Sequence, residues 1–118
     1  MALPYILTFA TVLLIATGQI LFKFTAQRLV GRPILEALRD TAVLFPFVVA
    51  VGIYGFATLL WIFALRDLPL TRAYFLMSLS FLIVPVISAL VFSERFTPGY
   101  AVGGAVIVVG VVITQLWH

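Results

Sequence analysis

The sequence predicts an all-α membrane protein: a bundle of four transmembrane helices, with a short interfacial helix between the first two. Two observations carry this reading. Apolar residues make up 64% of the 118-residue chain and charged residues 9%, against roughly 45–50% and about 25% in soluble domains. Between the charged clusters lie four apolar stretches, at about residues 3–24, 41–65, 71–92 and 98–117. Each reaches the roughly 20 residues that cross a ~30 Å hydrocarbon core as a helix. Lipid offers the backbone no partner, so uncharged runs of this length must pair their own groups and are helical despite their many valines. A chain of this size is expected to form one transmembrane domain over residues 1–118.

The first helix has no basic residue ahead of its apolar run, and its first positive charge, Lys23, follows it. That order is wrong for a cleaved signal, so a retained helix is expected. Near its inner end "TGQILFKF", residues 17–24, places Gln19 and Lys23 one helical turn apart on one face. Lys23 can snorkel to the interface or meet a ligand. Gln19 is deeper, and an amide there seeks a partner in the bundle or a wet cavity. With Thr11 and Gly18, one face of this helix is small and polar.

The connection "RPILEALRD", residues 32–40, has a proline at a helix start, Glu36 in the first turn and Arg39 in the last, while Ile34, Leu35 and Leu38 can share a face. It reads as an amphipathic helix over about 33–40 lying in the interface; an irregular polar loop is the alternative. In the second helix, Tyr54 and Trp61 either line a cavity or face lipid. The tight turn Arg66–Thr71, closed by Pro69, and the turn before helix four force their flanking helices to run antiparallel as neighbours.

Helix three opens with "LTRAYFLMSLSF", putting Arg72 at its entry, Tyr74 just inside and Ser78 one turn further. Pro85 removes a donor and crowds the carbonyl of Phe81, which predicts a kink there. Ser78, Ser80 and Ser88 are near enough to satisfy the freed backbone groups. Such a kink serves packing or gating. In the turn "FSERFT", Glu94 is expected to pair with Arg95 or to bond backbone near helix four. Thr97 and Pro98 form an N-cap and first helical position. Gly103 and Gly110 in helix four lie seven apart, and with Gly104 they mark a close-approach face. That face is read as a dimer interface, with packing inside the monomer as the alternative.

Several function classes fall away. There is no cysteine, and the one histidine is the last residue, His118. No thiol chemistry, cysteine metal site, catalytic triad or phosphate-binding glycine loop can be assembled, so no catalytic residue, cofactor or metal is expected. The net charge of +3 is spread over membrane-edge loops, which suits lipid headgroups and topology and gives no nucleic-acid surface. Lys23, Arg28, Arg32, Arg39 and Arg95 flank the first and third connections, against Arg66 and Arg72 on the opposite side. The positive-inside rule then puts those two connections in the cytoplasm and both termini outside.

The stretch "PVISALVFSERFTPGYAVGGAVIVVGVVI", residues 85–113, resembles the closing helical pair of the drug/metabolite transporter (EamA-like) superfamily: a proline-bearing helix, a glutamate in the turn and a glycine-rich last helix. The four-helix length, "GQILFKF" and "AYFLMSLSF" resemble its small multidrug resistance-like branch. Within that branch they resemble the subunits that flip aminoarabinose-undecaprenyl phosphate for lipopolysaccharide modification. Small multidrug exporters carry a glutamate in helix one where this chain has Ile15, and a helix-three tryptophan where it has Met77. Two of their glycines correspond to Leu79 and Phe81, whereas Tyr54 and Tyr74 match their tyrosines. With no acid in a helix centre, proton-for-cation exchange has no obvious carrier.

The resemblance therefore implies a multi-pass subunit in a bacterial cytoplasmic (inner) membrane that translocates a polyprenyl-phosphate amphiphile. Substrate-binding residues would be Gln19, Lys23, Tyr54, Arg72, Tyr74 and Ser78, with Glu94 as a candidate because the superfamily marks that acid and an amino sugar would welcome it. The expected assembly is a homodimer, or a heterodimer with a related four-helix chain. A small multidrug-type exporter and a non-transporting scaffold subunit are the alternatives.

Overall fold

The structure, a computed structural model, describes residues 2–117; His118, expected as a frayed end, lies outside them. Among the described residues six helices follow one another: α1 Leu3–Leu29, α2 Ile34–Ala37, α3 Thr41–Asp67, α4 Leu70–Met77, α5 Ser80–Phe92 and α6 Pro98–Leu116. Four stretches are long and apolar enough to cross a membrane: α1, α3, α4 with α5 together, and α6.

The closest packing joins α1 to α3. Val43, Ala50, Ala57 and Ala64 recur every seven residues along α3, and all are buried. Facing them on α1 are the buried Thr8, Thr11, Val12, Ala16 and Gly18. Side chains this small let the two backbones approach, which replaces the hydrophobic driving force that lipid cannot supply. The threonine hydroxyls are satisfied locally: Thr8 and Thr11 donate to the carbonyls of Pro4 and Leu7, each at 2.8 Å. Outside the seam large apolar side chains such as Phe45, Phe56 and Leu90 point outward, as a hydrocarbon solvent permits.

Four details differ from the sequence reading. First, α1 continues past residue 24 to Leu29, because a helix need not stop where its apolar run does once it enters the interface. Second, the interfacial helix shrinks from 33–40 to the single turn Ile34–Ala37. Its end tightens into Arg39 N–H to Glu36 and Asp40 N–H to Ala37 carbonyl bonds, and Asp40 is taken up as the N-cap of α3. There the Asp40 carboxylate accepts from Ala42 N–H at 2.9 Å and pairs with Arg32 at 2.7 Å. The Arg32 hydrogen bond, and then the Ala42 amide, hold this carboxyl below its ordinary pKa.

Third, the break in the third span falls at Ser78 and Leu79, and α5 runs on through Pro85. Around the break the ladder shifts toward three-residue spacing: Leu79 N–H bonds Leu76, Phe81 N–H bonds Ser78, and Leu82 N–H bonds Leu79. Ser78 Oγ also donates to the Phe75 carbonyl. A short 3₁₀ stretch stabilised by a serine thus interrupts the α-helical ladder of the span upstream of Pro85.

Fourth, Gly104 faces inward. A Cβ there would strike Leu82 of α5, whereas Gly103 and Gly110 have nothing within 4 Å of an added Cβ. Gly104 therefore packs α6 against α5 within the chain, and only Gly103 and Gly110 remain on an open face. We expect Gly104→Leu to destabilise the monomer by about 1–3 kcal/mol through overpacking, while Gly110→Leu leaves monomer stability unchanged. Titration with a denaturing detergent, following helix content, measures both.

Candidate functional site

Among the described residues, three groupings of polar side chains hold the expected site residues. The first is a cleft of about 400 Å³ between α1, α3 and the α4–α5 break, lined by Gln19, Tyr54, Trp61, Tyr74, Ser78 and Ile15 among others. Gln19 reaches across it: its Nε2 donates to the Tyr54 hydroxyl at 2.6 Å. The Tyr54 ring lies over Gly18, where any Cβ would overlap it, and stacks on Phe22 with ring centroids 5.2 Å apart. Gly18 is thus what admits the ring to a position from which its hydroxyl meets Gln19. The cleft contains no charged side chain among its lining residues.

The second place is the end of the bundle where α1 meets the α5–α6 turn. Lys23 Nζ stands 3.7 Å from a Glu94 carboxylate oxygen, with both side chains about half exposed. Ser88 Oγ donates to the other carboxylate oxygen at 2.7 Å. Ser93, in the left-handed region at φ 54°, turns the chain sharply after α5 so that Glu94 doubles back over Ser88. Phe24 and Phe92, with centroids 4.8 Å apart, bring the two helices together beside the pair.

The third place is the opposite end. Arg72 Nε donates to Gln115 Oε1 at 3.1 Å, Gln115 Nε2 donates to the Arg72 carbonyl at 3.2 Å, and the guanidinium lies 5.3 Å from the Tyr5 ring centroid. At about 1.5 Å per residue, Tyr5 and Lys23 are separated by roughly 27 Å along α1. Arg72 and Lys23 therefore lie at opposite ends of the bundle.

A model of the EamA-like transporter family matches residues 2–116. The chain belongs to the EamA-like transporter family. It is similar to the probable 4-amino-4-deoxy-L-arabinose-phosphoundecaprenol flippase subunit ArnF of Pseudomonas fluorescens Pf0-1, with 34% identity over 87% of this chain and 80% of that protein. The ArnF of P. fluorescens Pf-5 is 40% identical over 62% of this chain, a match that spans about half of the relative, 55% of its length. The corresponding subunit ArnE of Yersinia pseudotuberculosis is 32% identical over 97% of this chain and 96% of that protein. No solved structure matches the chain. With its four membrane-crossing stretches, this EamA-like transporter is a multi-pass protein of the inner membrane.

The structure of this EamA-like chain groups the expected site residues unevenly. Gln19, Tyr54, Tyr74 and Ser78 share the cleft. Lys23 shares a helix face with Gln19 but turns to Glu94, and Arg72 joins neither. The expected local partner of Glu94 is corrected: its carboxylate is held by Ser88 and Lys23, to which the left-handed Ser93 turn brings it. Ser78 lines the cleft while its hydroxyl is spent on the backbone. Sequence reasoning missed Gln115 and Phe22. An amide in the last turn of an otherwise apolar α6 was the available signal for Gln115; nothing local marked Phe22.

Interhelical hydrogen bonds in membranes average about 0.6 kcal/mol. Tyr54→Phe should lower stability by about that amount, and Gly18→Val by more, because it displaces the ring from both Gln19 and Phe22. Detergent-induced unfolding that ranks the two variants the other way would remove Gly18 from this role.

Proposed function

We propose that this chain is one subunit of a carrier that moves a lipid-linked amino sugar, of the 4-amino-4-deoxy-L-arabinose-phosphoundecaprenol type named for its relatives, across the inner membrane. It performs no bond chemistry. The observation that supports this best is the distribution of charge. The cleft inside the bilayer is neutral, while ionised groups that a sugar phosphate can meet sit at the two ends, Lys23 with Glu94 and Arg72 with Gln115. An exporter of drug cations needs an anion at membrane depth, and Ile15 occupies the cleft wall where its glutamate would stand.

In this reading Lys23 and Glu94 face the cytoplasm with the positively flanked connections, and Arg72 faces outside. A headgroup is handed between donors that suit phosphate at each edge, while its apolar chain stays in lipid. Gln19, Tyr54, Tyr74 and Ser78 supply neutral polar contacts between the ends. Four thin helices leave most of their surface uncovered, only 11% of the α6 span being buried. A second chain would complete the route, and a related four-helix subunit in the inverted orientation suits the one-sided Lys and Arg bias.

Reconstitution tests the reading. Vesicles holding this chain with its four-helix partner should bring amino-sugar polyprenyl phosphate within reach of a membrane-impermeant amine reagent, and should not couple uptake of cationic dyes to a proton gradient. The opposite pair of results would make the chain a multidrug-type exporter. Lys23→Ala should slow translocation more than Lys23→Arg, since either cation pairs with phosphate; equal rates in all three would leave Lys23 a snorkelling residue.

Assembly is checked separately. Gly110→Leu adds a branched side chain to an open small-residue face of α6 and should reduce crosslinked dimer in membranes. An undiminished dimer fraction would move the interface elsewhere.

A further inference from the structure

A groove of about 490 Å³ runs between α5 and α6, lined by a set of residues that overlaps the neutral cleft only at Phe81. Its floor is apolar and lies within the spans: Leu82, Pro85, Gly103 and Ile107. Its mouth is polar and lies at the α5–α6 turn: Ser88, Glu94 and Arg95. Gly104 brings α6 down onto Leu82, and Gly103 beside it adds no side chain to the trough. Glu94 is the hinge of the arrangement, because it lines the mouth and also meets Lys23 from α1. An acid that meets one base, with a second base lining the same mouth, therefore stands at the head of an apolar channel.

We propose that this groove is the binding site for the lipid-linked amino sugar on the Lys23 side of the membrane. Its apolar floor would hold the first isoprene units, and Glu94 would read the sugar's amine. The proposal rests on the flippase-subunit reading above and adds to it a place and a basis for selectivity. The ligand class carries one cation and one anion on a single headgroup, joined to a polyprenyl chain. The groove offers the complement: apolar walls, and at the mouth an acid paired with Lys23 and the further base Arg95. The Lys23–Glu94 contact is long and half exposed, the kind of ion pair that contributes little by itself and can be exchanged. On binding, the amine takes the place of Lys23 at the carboxylate, and the freed lysine and Arg95 turn to the phosphate. One weak pair becomes three charge-assisted contacts. Ser88 holds the carboxylate in place throughout by its bond to the second oxygen. A headgroup with a hydroxyl in place of the amine would leave Lys23 competing for both partners, which is how the site would prefer amino sugars.

The test uses farnesyl phosphate joined to 4-amino-4-deoxy-arabinose, and the same molecule with a hydroxyl for the amine, on the full chain with its partner in lipid vesicles. Ile107→p-benzoyl-phenylalanine, in the groove, should photolabel the amino probe. The same substitution at Val109, exposed but outside the groove, should not. Glu94→Gln should weaken the amino probe about tenfold while leaving the hydroxyl probe within about twofold. If the parent protein binds the probes but Ile107 stays unlabelled and Glu94→Gln weakens both equally, the groove assignment fails and the flippase reading stands. If the position-107 probe captures a second copy of the chain even with lipid saturating, the groove is a subunit interface. Failure of the parent protein to bind either probe overturns both readings together.

Discussion

The seam between α1 and α3 is the constraint from which the remaining arrangement follows. In hydrocarbon, apolar side chains gain nothing by meeting one another, so helices associate where backbones can come close. The alanine repeat of α3 at positions 50, 57 and 64 and the small face of α1 satisfy that condition along most of both helices. Once they are paired, the Tyr54 ring has one place to go, over Gly18, and its hydroxyl meets Gln19. The other two spans do not share this seam. They pack beside it more loosely, and the clefts that could hold a ligand lie along their edges.

The spans themselves were legible because length and lack of charge are sufficient in a solvent that cannot hydrate a backbone. Family membership was legible in "PVISALVFSERFTPGYAVGG" for a related reason, since turn, cap and glycines are local features. What was not legible is non-local or competitive. Pro85 advertises a lost donor at its own position, yet the helix assignment breaks at Ser78 and Leu79, where a serine hydroxyl and three-residue bonds offer the backbone an alternative. Gly103 and Gly104 look equivalent in sequence, and only the rotation of α6 about its axis makes one an open surface and the other a contact with Leu82.

The same distinction explains the ionisable residues. An acid beside Lys23 could not be read from its neighbours, because Glu94 arrives from the far side of the chain on a turn set by the left-handed Ser93. Nor could local spacing show that Arg72 would find an amide on α6 and a tyrosine on α1. Both clusters join helices that are distant in sequence at one end of the bundle. Each ties together elements whose apolar contacts alone would let them slide, so the charged residues organise the ends while the alanines organise the middle.

This division bears on what can drive transport. A carrier that exchanges protons for cations requires a titratable group that the substrate and the proton take in turn, at a depth where neither bulk phase reaches it directly. Here the wall of the cleft at that depth is Ile15, Gln19 and Tyr54, and none of the chain's carboxylates, Glu36, Asp40, Asp67 and Glu94, lies in the middle of a span. Two of them, Asp40 and Asp67, are engaged by arginines at helix ends. Of the acids on the Lys23 side, Glu94 is the one that lines a groove entering the membrane, and it does so at the edge. On the proposed reading the energetic step is therefore the exchange of Lys23 for a substrate amine at that edge. Movement of the headgroup past neutral polar residues follows, with the chain never leaving an apolar environment. Such a carrier needs no buried charge, which is consistent with a sequence that places its ionisable side chains at the edges and keeps the span centres free of them.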